Sequence, residues 1–253
     1  MSAFRAPLSL RPNPDVALPQ SAMILAAGLG KRMRPLTTLR PKPLVEVAGR
    51  TLLDRVLDHV RASGIGQVVV NVHYLADQID AHLARRAQDL DVRISDERAL
   101  LLETGGGVVK ALPLIDADPF YVINADNMWI DGAVDTLRML AQRWDPAQMD
   151  ALLLLVPLAR ANGYEGAGDF HMDGLGRLRR RTGVRVAPYV FSGVQILSKS
   201  LFAGEPVEPF SLNRIYNKAM AEGRLFGLAH PGLWFHVGTP ESVTKTELEL
   251  GTR

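Results

Sequence analysis

Residues 22–43 read AMILAAGLGKRMRPLTTLRPKP, and this stretch decides the fold. Ala22 to Ala27 form an apolar run with no polar alternation, which predicts a short strand covered on both faces, as in a parallel sheet. The run stops at Gly28. The segment that follows is basic and broken by Pro35, Pro41 and Pro43, so 28–43 is expected as an irregular loop. From Thr51 the period changes: Leu52, Leu53, Val56, Leu57 and Val60 share one helical face, and Gly64 ends it.

The same alternation continues downstream. Residues 67–73 predict a strand, Leu75, Ile79 and Leu83 a helix, and 91–95 a third strand. A glycine run at 105–107 is expected as a loop leading into a short helix over 107–112, then a buried strand at 120–125. A helix near 133–143 and a strand at 151–156 complete this part. The fold class is therefore α/β: a Rossmann-like, mainly parallel mixed sheet flanked by helices. After residue 160 the character changes, with Gly and Arg enriched and a hairpin expected across 170–179. A strand at 189–197, a helix at 211–222, strands near 224–229 and 234–237, and a helix opened by Pro240 follow. The economical organisation is an extended or disordered, proline-rich arm over 1–20 and one domain over 21–253 carrying a smaller β insertion.

Composition narrows the chemistry. The 253 residues hold 29 Lys+Arg against 27 Asp+Glu, and no Cys. A chain of this mass buries roughly three quarters of its unfolded surface, ample for one stable domain. Without Cys there is no disulfide, thiolate catalysis or Cys-ligated metal. The near-neutral balance argues against nucleic acid and membrane partners. No apolar run reaches the ~20 residues of a membrane helix, and residues 1–20 lack a signal-peptide core, so a cytoplasmic location is expected.

Ligands of a parallel sheet bind beyond the carboxyl ends of its strands, which is where Gly28-Leu29-Gly30-Lys31-Arg32 must lie. Glycines let backbone approach a phosphate closely, and exposed N–H groups attract anions. Two common motifs fail. A dinucleotide fingerprint would need Gly or Ala at Met33, and a Walker A motif would need Gly at Leu25 and Ser or Thr at Arg32. Lys31, Arg32, Arg34, Arg40 and Lys42 place five cations in twelve residues, and the Pro41-Lys42-Pro43 frame pre-orders one of them. The residues by themselves establish an anion site or a solvated basic loop.

Leu25-Ala-Ala-Gly-Leu-Gly-Lys-Arg-Met-Arg-Pro-Leu followed by Pro41-Lys42-Pro43-Leu44 resembles the signature of the sugar-1-phosphate nucleotidyltransferases, over roughly residues 22–250. The resemblance implies that Ala26, Ala27, Gly28, Gly30 and Lys31 cradle a nucleoside triphosphate. It implies that Arg32 lies over the phosphates and Lys42 at the reacting one. Asn124-Ala125-Asp126 resembles the pattern whose Asp binds Mg²⁺, with Ala in the usual place of Gly; Mn²⁺ or another divalent ion is the alternative. Glu103-Thr104-Gly105-Gly106-Gly107 resembles the base-recognition loop, with Gly105 and Gly106 at the base. Glu97 is either a further base contact or an exposed loop acid. Asp169 in Gly-Asp-Phe, and Ser192 and Gly193 in Phe-Ser-Gly, resemble sugar-pocket segments, to which Asn124 is added. The order of these motifs is most similar to the short N-acetylmuramate α-1-phosphate uridylyltransferases of cell-wall recycling, which implies UTP and N-acetylmuramic acid α-1-phosphate as substrates.

One departure stands out. Trp234-Phe235-His236-Val237-Gly238-Thr239 corresponds to a Trp-x-Asp-Val-Gly-Thr pattern whose Asp is a second metal ligand, and this chain has His236 there. Imidazole suits softer divalent ions better than Mg²⁺. His236 is thus either a metal-site residue or a hydrogen-bonding histidine without a metal role. The implied reaction needs no general base, since a sugar phosphate is already an anion. Open alternatives are other NDP-sugar pyrophosphorylases (guanylyl, thymidylyl or adenylyl) and a non-catalytic nucleotide-binding regulatory subunit. A dehydrogenase is disfavoured by the missing third glycine.

Overall fold

The computed structural model describes residues 17–251. The expected arm lies outside them up to residue 16. Its described end belongs to the fold: Leu18 packs on the core, and the Gln20 carbonyl accepts a hydrogen bond from the Gln67 N–H.

In chain order the elements are β1 (Ser21–Leu25), a hairpin of β2 (Glu46–Val47) and β3 (Arg50–Thr51), and α1 (Leu52–Ser63). Then come β4 (Gln67–Val72), α2 (Ala76–Arg86), β5 (Asp91–Asp96), α3 (Glu103–Ala111) and β6 (Phe120–Asn124). The second part holds β7 (Met128–Ile130), α4 (Thr136–Arg143), β8 (Ala151–Pro157), β9 (Ala161–Asn162), β10 (Phe170–Met172) and β11 (Leu178–Arg180). It ends with β12 (Tyr189–Leu197), α5 (Asn213–Ala221), β13 (Leu225–Ala229), β14 (Leu233–Phe235) and α6 (Pro240–Glu249).

The strands β5-β4-β1-β6 lie side by side and all parallel. β12 then runs antiparallel to β6 on one edge and to β8 on the other, and β13 joins β8 in parallel. The sheet is therefore mixed, its parallel half built by helical crossovers. The expected hairpin forms as β10 and β11 and continues this main sheet against β12, while β7, β14 and β9 make a separate small sheet.

Both faces of the sheet are covered, as the unbroken apolar run at 22–27 predicts. Ala22 and Ile24 point into one core with α1, α2 and α4, and Met23 points into another with α3 and α5. On α1, Leu52, Leu53, Val56, Leu57 and Val60 are all fully buried, each worth about 1.5–3 kcal/mol. The Thr51 side chain accepts the Asp54 N–H at 3.0 Å to cap this helix, and Gly64 closes it with φ +79°. A third, small core joins Met33, Val45, Met128 and Val237 from four separate segments.

The glycine run departs from expectation. Residues 105–107 are helical, inside α3, and pack against other backbone and side chains. A Cβ on Gly105 would stand 2.3 Å from the Phe210 ring, and one on Gly106 1.9 Å from the Glu208 carbonyl oxygen. These glycines remove side chains where segments touch, so low helix propensity yields to packing.

Candidate active site

Strand register sets Leu25, Asn71 and Asn124 abreast at the carboxyl ends of β1, β4 and β6. A cleft of about 510 Å³ opens there. Ala26, Ala27, Gly28, Gly30 and Lys31 form one wall. Arg32, Lys42, Asn124 and Asp126 also face it. Nine of the residues singled out in the sequence thus meet in one place, beside the crevice where strand order reverses around β1.

The loop holding the cations is fixed by its own bonds. Gly30 takes φ +60°, and a Cβ there would press on Lys42 Cβ at 3.1 Å and Thr37 Cγ2 at 3.2 Å. The Thr37 hydroxyl donates to the Gly30 carbonyl at 2.8 Å, and the Tyr74 hydroxyl donates to the Thr37 carbonyl at 2.9 Å. Single 3₁₀ turns form at Lys31–Met33 and Lys42–Leu44, the second with Pro41 ahead of it and Pro43 buried within. The proline frame therefore fixes Lys42 where its side chain reaches the cleft.

Lys42 Nζ lies 2.5 Å from Asp126 Oδ2, with the lysine side chain only 12% exposed. Lys31 and Arg32, by contrast, make no side-chain hydrogen bond or ion pair among the described residues. Unpaired cations on a cleft wall suit an anionic ligand. Burial, with Lys42 and Arg32 nearby, pushes the His236 imidazole below its ordinary pKa, while Asp126 pulls the other way. His236 is neutral at neutral pH. Its ring meets Tyr164 edge-on at 5.8 Å and lines a second cavity of about 610 Å³, which adjoins the first at Arg32 and Gly238.

Several expected contacts stand elsewhere. Glu97 is neither an exposed loop acid nor a cleft residue: it is fully buried, and both its oxygens are taken. Asn71 Nδ2 donates to one at 2.7 Å and the Leu102 N–H to the other at 3.0 Å. The N–H groups of Gly105 and Gly106 donate to the Phe210 carbonyl, at 2.7 and 3.2 Å, and so are not offered to a base. Asp169 accepts the Phe191 N–H at 2.9 Å, and the Ser192 hydroxyl accepts the Val194 N–H at 3.2 Å. Gly193, φ +92°, lies in the irregular stretch of β12 and clears space for Asn124: a Cβ would be 2.7 Å from Asn124 Nδ2. It serves the cleft indirectly.

The cleft also uses residues the sequence reading passed over. Asn71 is the penultimate residue of β4, and a polar residue interrupting the apolar run Val-Val-Val-Asn-Val carried that signal. Glu103 and Thr104, which open the segment whose resemblance implied base recognition, also line the cleft, with Glu103 at φ +56°, a conformation rare for a residue with a side chain. No local pattern announces such a kink.

Among the described residues no three His, Cys, Asp or Glu side chains converge on a point. The candidate donors for a metal are therefore few: the carboxylates of Asp126 and Glu103 line the cleft, and the His236 imidazole lines the adjoining cavity. That fits a hard cation which takes most of its shell as phosphate oxygens and water, a common arrangement for Mg²⁺. No described helix is long and apolar enough to cross a membrane.

Comparisons with known proteins show the family. Residues 22–223 match the family described as MobA-like NTP transferase domain. The chain is 45% identical over 235 residues to the N-acetylmuramate alpha-1-phosphate uridylyltransferase of Caulobacter vibrioides, covering 92% of this chain and 97% of that one. It is 36% identical to the enzyme of the same name from Neisseria meningitidis, covering 86% and 93%. The crystal structure of HddC from Yersinia pseudotuberculosis complexed with GMP-PN shares the fold, with a TM-score of 0.73 at 23% identity over 91% of this chain and 99% of that one. The cleft at the strand ends is edged by cations and by the carboxylates of Asp126 and Glu103, and the chain belongs to the sugar-1-phosphate nucleotidyltransferases of the MobA-like NTP transferase family.

Proposed function

We propose that the chain transfers the uridylyl group of UTP to N-acetylmuramic acid α-1-phosphate, forming the UDP-sugar and releasing pyrophosphate. The observation that carries this reading is the meeting of Arg32, Lys42 and Asp126, from three segments, in one cleft. The substrate pair is supported by the two relatives of that name at 45% and 36% identity. We assign residues 21–253 to one catalytic domain, and place a reaction that consumes UTP in the cytoplasm.

A phosphate oxygen of the sugar phosphate attacks the α-phosphorus of UTP, and the bond from that phosphorus to the bridging oxygen of the β-phosphate breaks. The nucleophile is already anionic, so no side chain has to remove a proton. Arg32 and Lys42 hold the triphosphate and neutralise charge that grows on the equatorial oxygens. Lys42 leaves Asp126 for the phosphate as the nucleotide enters. Asp126, with the phosphate oxygens, would hold a divalent ion, Mg²⁺ or Mn²⁺, which when bound supplies Lewis acidity at the triphosphate. His236 would assist either in binding a phosphate or in holding the ion. Asn124 faces the sugar side, and Asp169, Ser192 and Gly193 shape it indirectly, through the backbone of β12 and the space left for Asn124.

A pyrophosphate-release screen crossing five nucleoside triphosphates with a panel of sugar-1-phosphates tests the assignment. UTP with the muramyl phosphate is the expected best pair; preference for another base or a neutral sugar overturns it. His236→Asp assayed with Mg²⁺, Mn²⁺ and Co²⁺ is expected to shift preference toward Mg²⁺. Unchanged metal dependence would remove His236 from the ion's surroundings.

A further inference from the structure

Glu97 is a fully buried carboxylate that the chemistry above leaves unused. Its two oxygens join two segments that line the cleft, one around Ala26 and Asn71 and one around Glu103. One accepts the Leu102 N–H at 3.0 Å, just ahead of α3, and the other accepts Asn71 Nδ2 at 2.7 Å, at the end of β4. Asn71 passes the link on, because its Oδ1 accepts the Ala26 N–H at 2.7 Å, where β1 gives way to the phosphate loop. The direction of every bond is fixed by Glu97. A carboxylate accepts at both ends, so Asn71 must turn its amine inward, leaving its oxygen for Ala26; an amide at 97 cannot impose that order. Gly107 shows how closely α3 is fitted to the pair: a Cβ there would lie 2.8 Å from Glu97 Oε1 and 2.9 Å from Asn71 Nδ2.

We infer that Glu97 is a positioning residue: through Asn71 and Leu102 it sets the spacing between the Ala26–Ala27 segment and the Glu103–Thr104 segment, and so the affinity of the cleft for its nucleoside triphosphate. This rests on the nucleotide-site reading of the cleft, and it replaces direct contact between Glu97 and the base.

The test is a polarity swap. Glu97→Gln turns a donor toward either Asn71 Nδ2 or the Leu102 N–H, and Asn71→Asp sets two acceptors face to face. The double variant, Glu97→Gln with Asn71→Asp, restores every bond: the new amide donates to the new carboxylate and accepts from Leu102, and the carboxylate accepts from Ala26. Each single variant is expected to raise KM for UTP about tenfold or more, with kcat within about threefold. The double variant is expected to return KM to within about threefold of wild type. Unchanged KM in Glu97→Gln overturns the proposal, as does a double variant whose loss multiplies those of the singles. Altered preference among the five triphosphates without rescue would assign Glu97 to the base instead. If Glu97→Gln alone does not fold, the double variant decides: folded with near-normal KM it supports the inference, and otherwise it refutes it. The assay uses UTP or whichever triphosphate wild type prefers, so failure of the UTP assignment is seen separately.

Discussion

Two glycine clusters, 28–30 and 105–107, look alike as strings and do opposite things. Gly28 has open space around it on the cleft wall, and Gly30 bends the chain left-handed so that Lys42 can close over it. Gly105, Gly106 and Gly107 lie within α3, pressed against Phe210, Glu208 and Glu97, with the Gly105 and Gly106 N–H groups already bonded to protein. The first cluster makes room for a ligand and the second makes room for the protein. A glycine pattern shows that a Cβ is unwelcome but leaves open what excludes it.

The sharpest way to break this contrast is at the charges beside the first cluster. Lys42→Ala and Asp126→Ala are each expected to lower kcat by about 10²–10³, or about 2.7–4 kcal/mol, with an unchanged circular dichroism spectrum. Near-normal turnover in either would remove that residue from the reaction. Next in size is Gly106→Ala, whose methyl group would collide with a backbone oxygen. A loss of about 1–3 kcal/mol of stability is expected, seen as a melting point lower by several degrees. A Gly106→Ala protein as stable as wild type would undo the packing account of the second cluster. Gly28→Ala should instead leave the melting point within about 0.5 kcal/mol of wild type while raising KM for the triphosphate, because the added methyl group meets only the ligand. Equal effects of the two substitutions on stability would erase the contrast.

The smallest expected effect lies away from both clusters. Burial pushes the His230 imidazole below its ordinary pKa, so it stays neutral in the folded chain. The unfolded chain takes up a proton near the ordinary value of 6.5. Its contribution to stability is therefore present above that value and is lost as pH falls from there toward the lowered one. Melting points between pH 7.5 and 5.5 should fall more steeply for wild type than for His230→Gln, and parallel slopes would count against it.

The parallel half was legible because its physics is local. An unbroken apolar run means two covered faces, and strand ends of one sheet must lie together, so Gly28, Asn124 and Asp126 could be placed before any coordinates. The helical glycines could not, since what fixes them is the distant segment Glu208–Phe210, more than a hundred residues along. Glu97 misled for the same reason: beside charged neighbours it looked exposed, and only its partners Asn71 and Leu102 explain its burial. On the sugar side, β12 shifts its register against β8 around Ser192 and Gly193, an irregularity no period of two or 3.6 encodes.

Met33 follows Arg32, Met128 lies two residues past Asp126, Val237 adjoins His236, and Val45 sits three beyond Lys42; all four share the small third core. The relative calibration of the reacting groups is thus delegated to a few apolar side chains that never meet substrate. Conservative exchanges among them, such as Met33→Leu or Val45→Ile, offer evolution a fine adjustment of rate or metal preference without touching a charged residue. Screens for altered activity should find hits in this patch that look, by residue type, like silent changes.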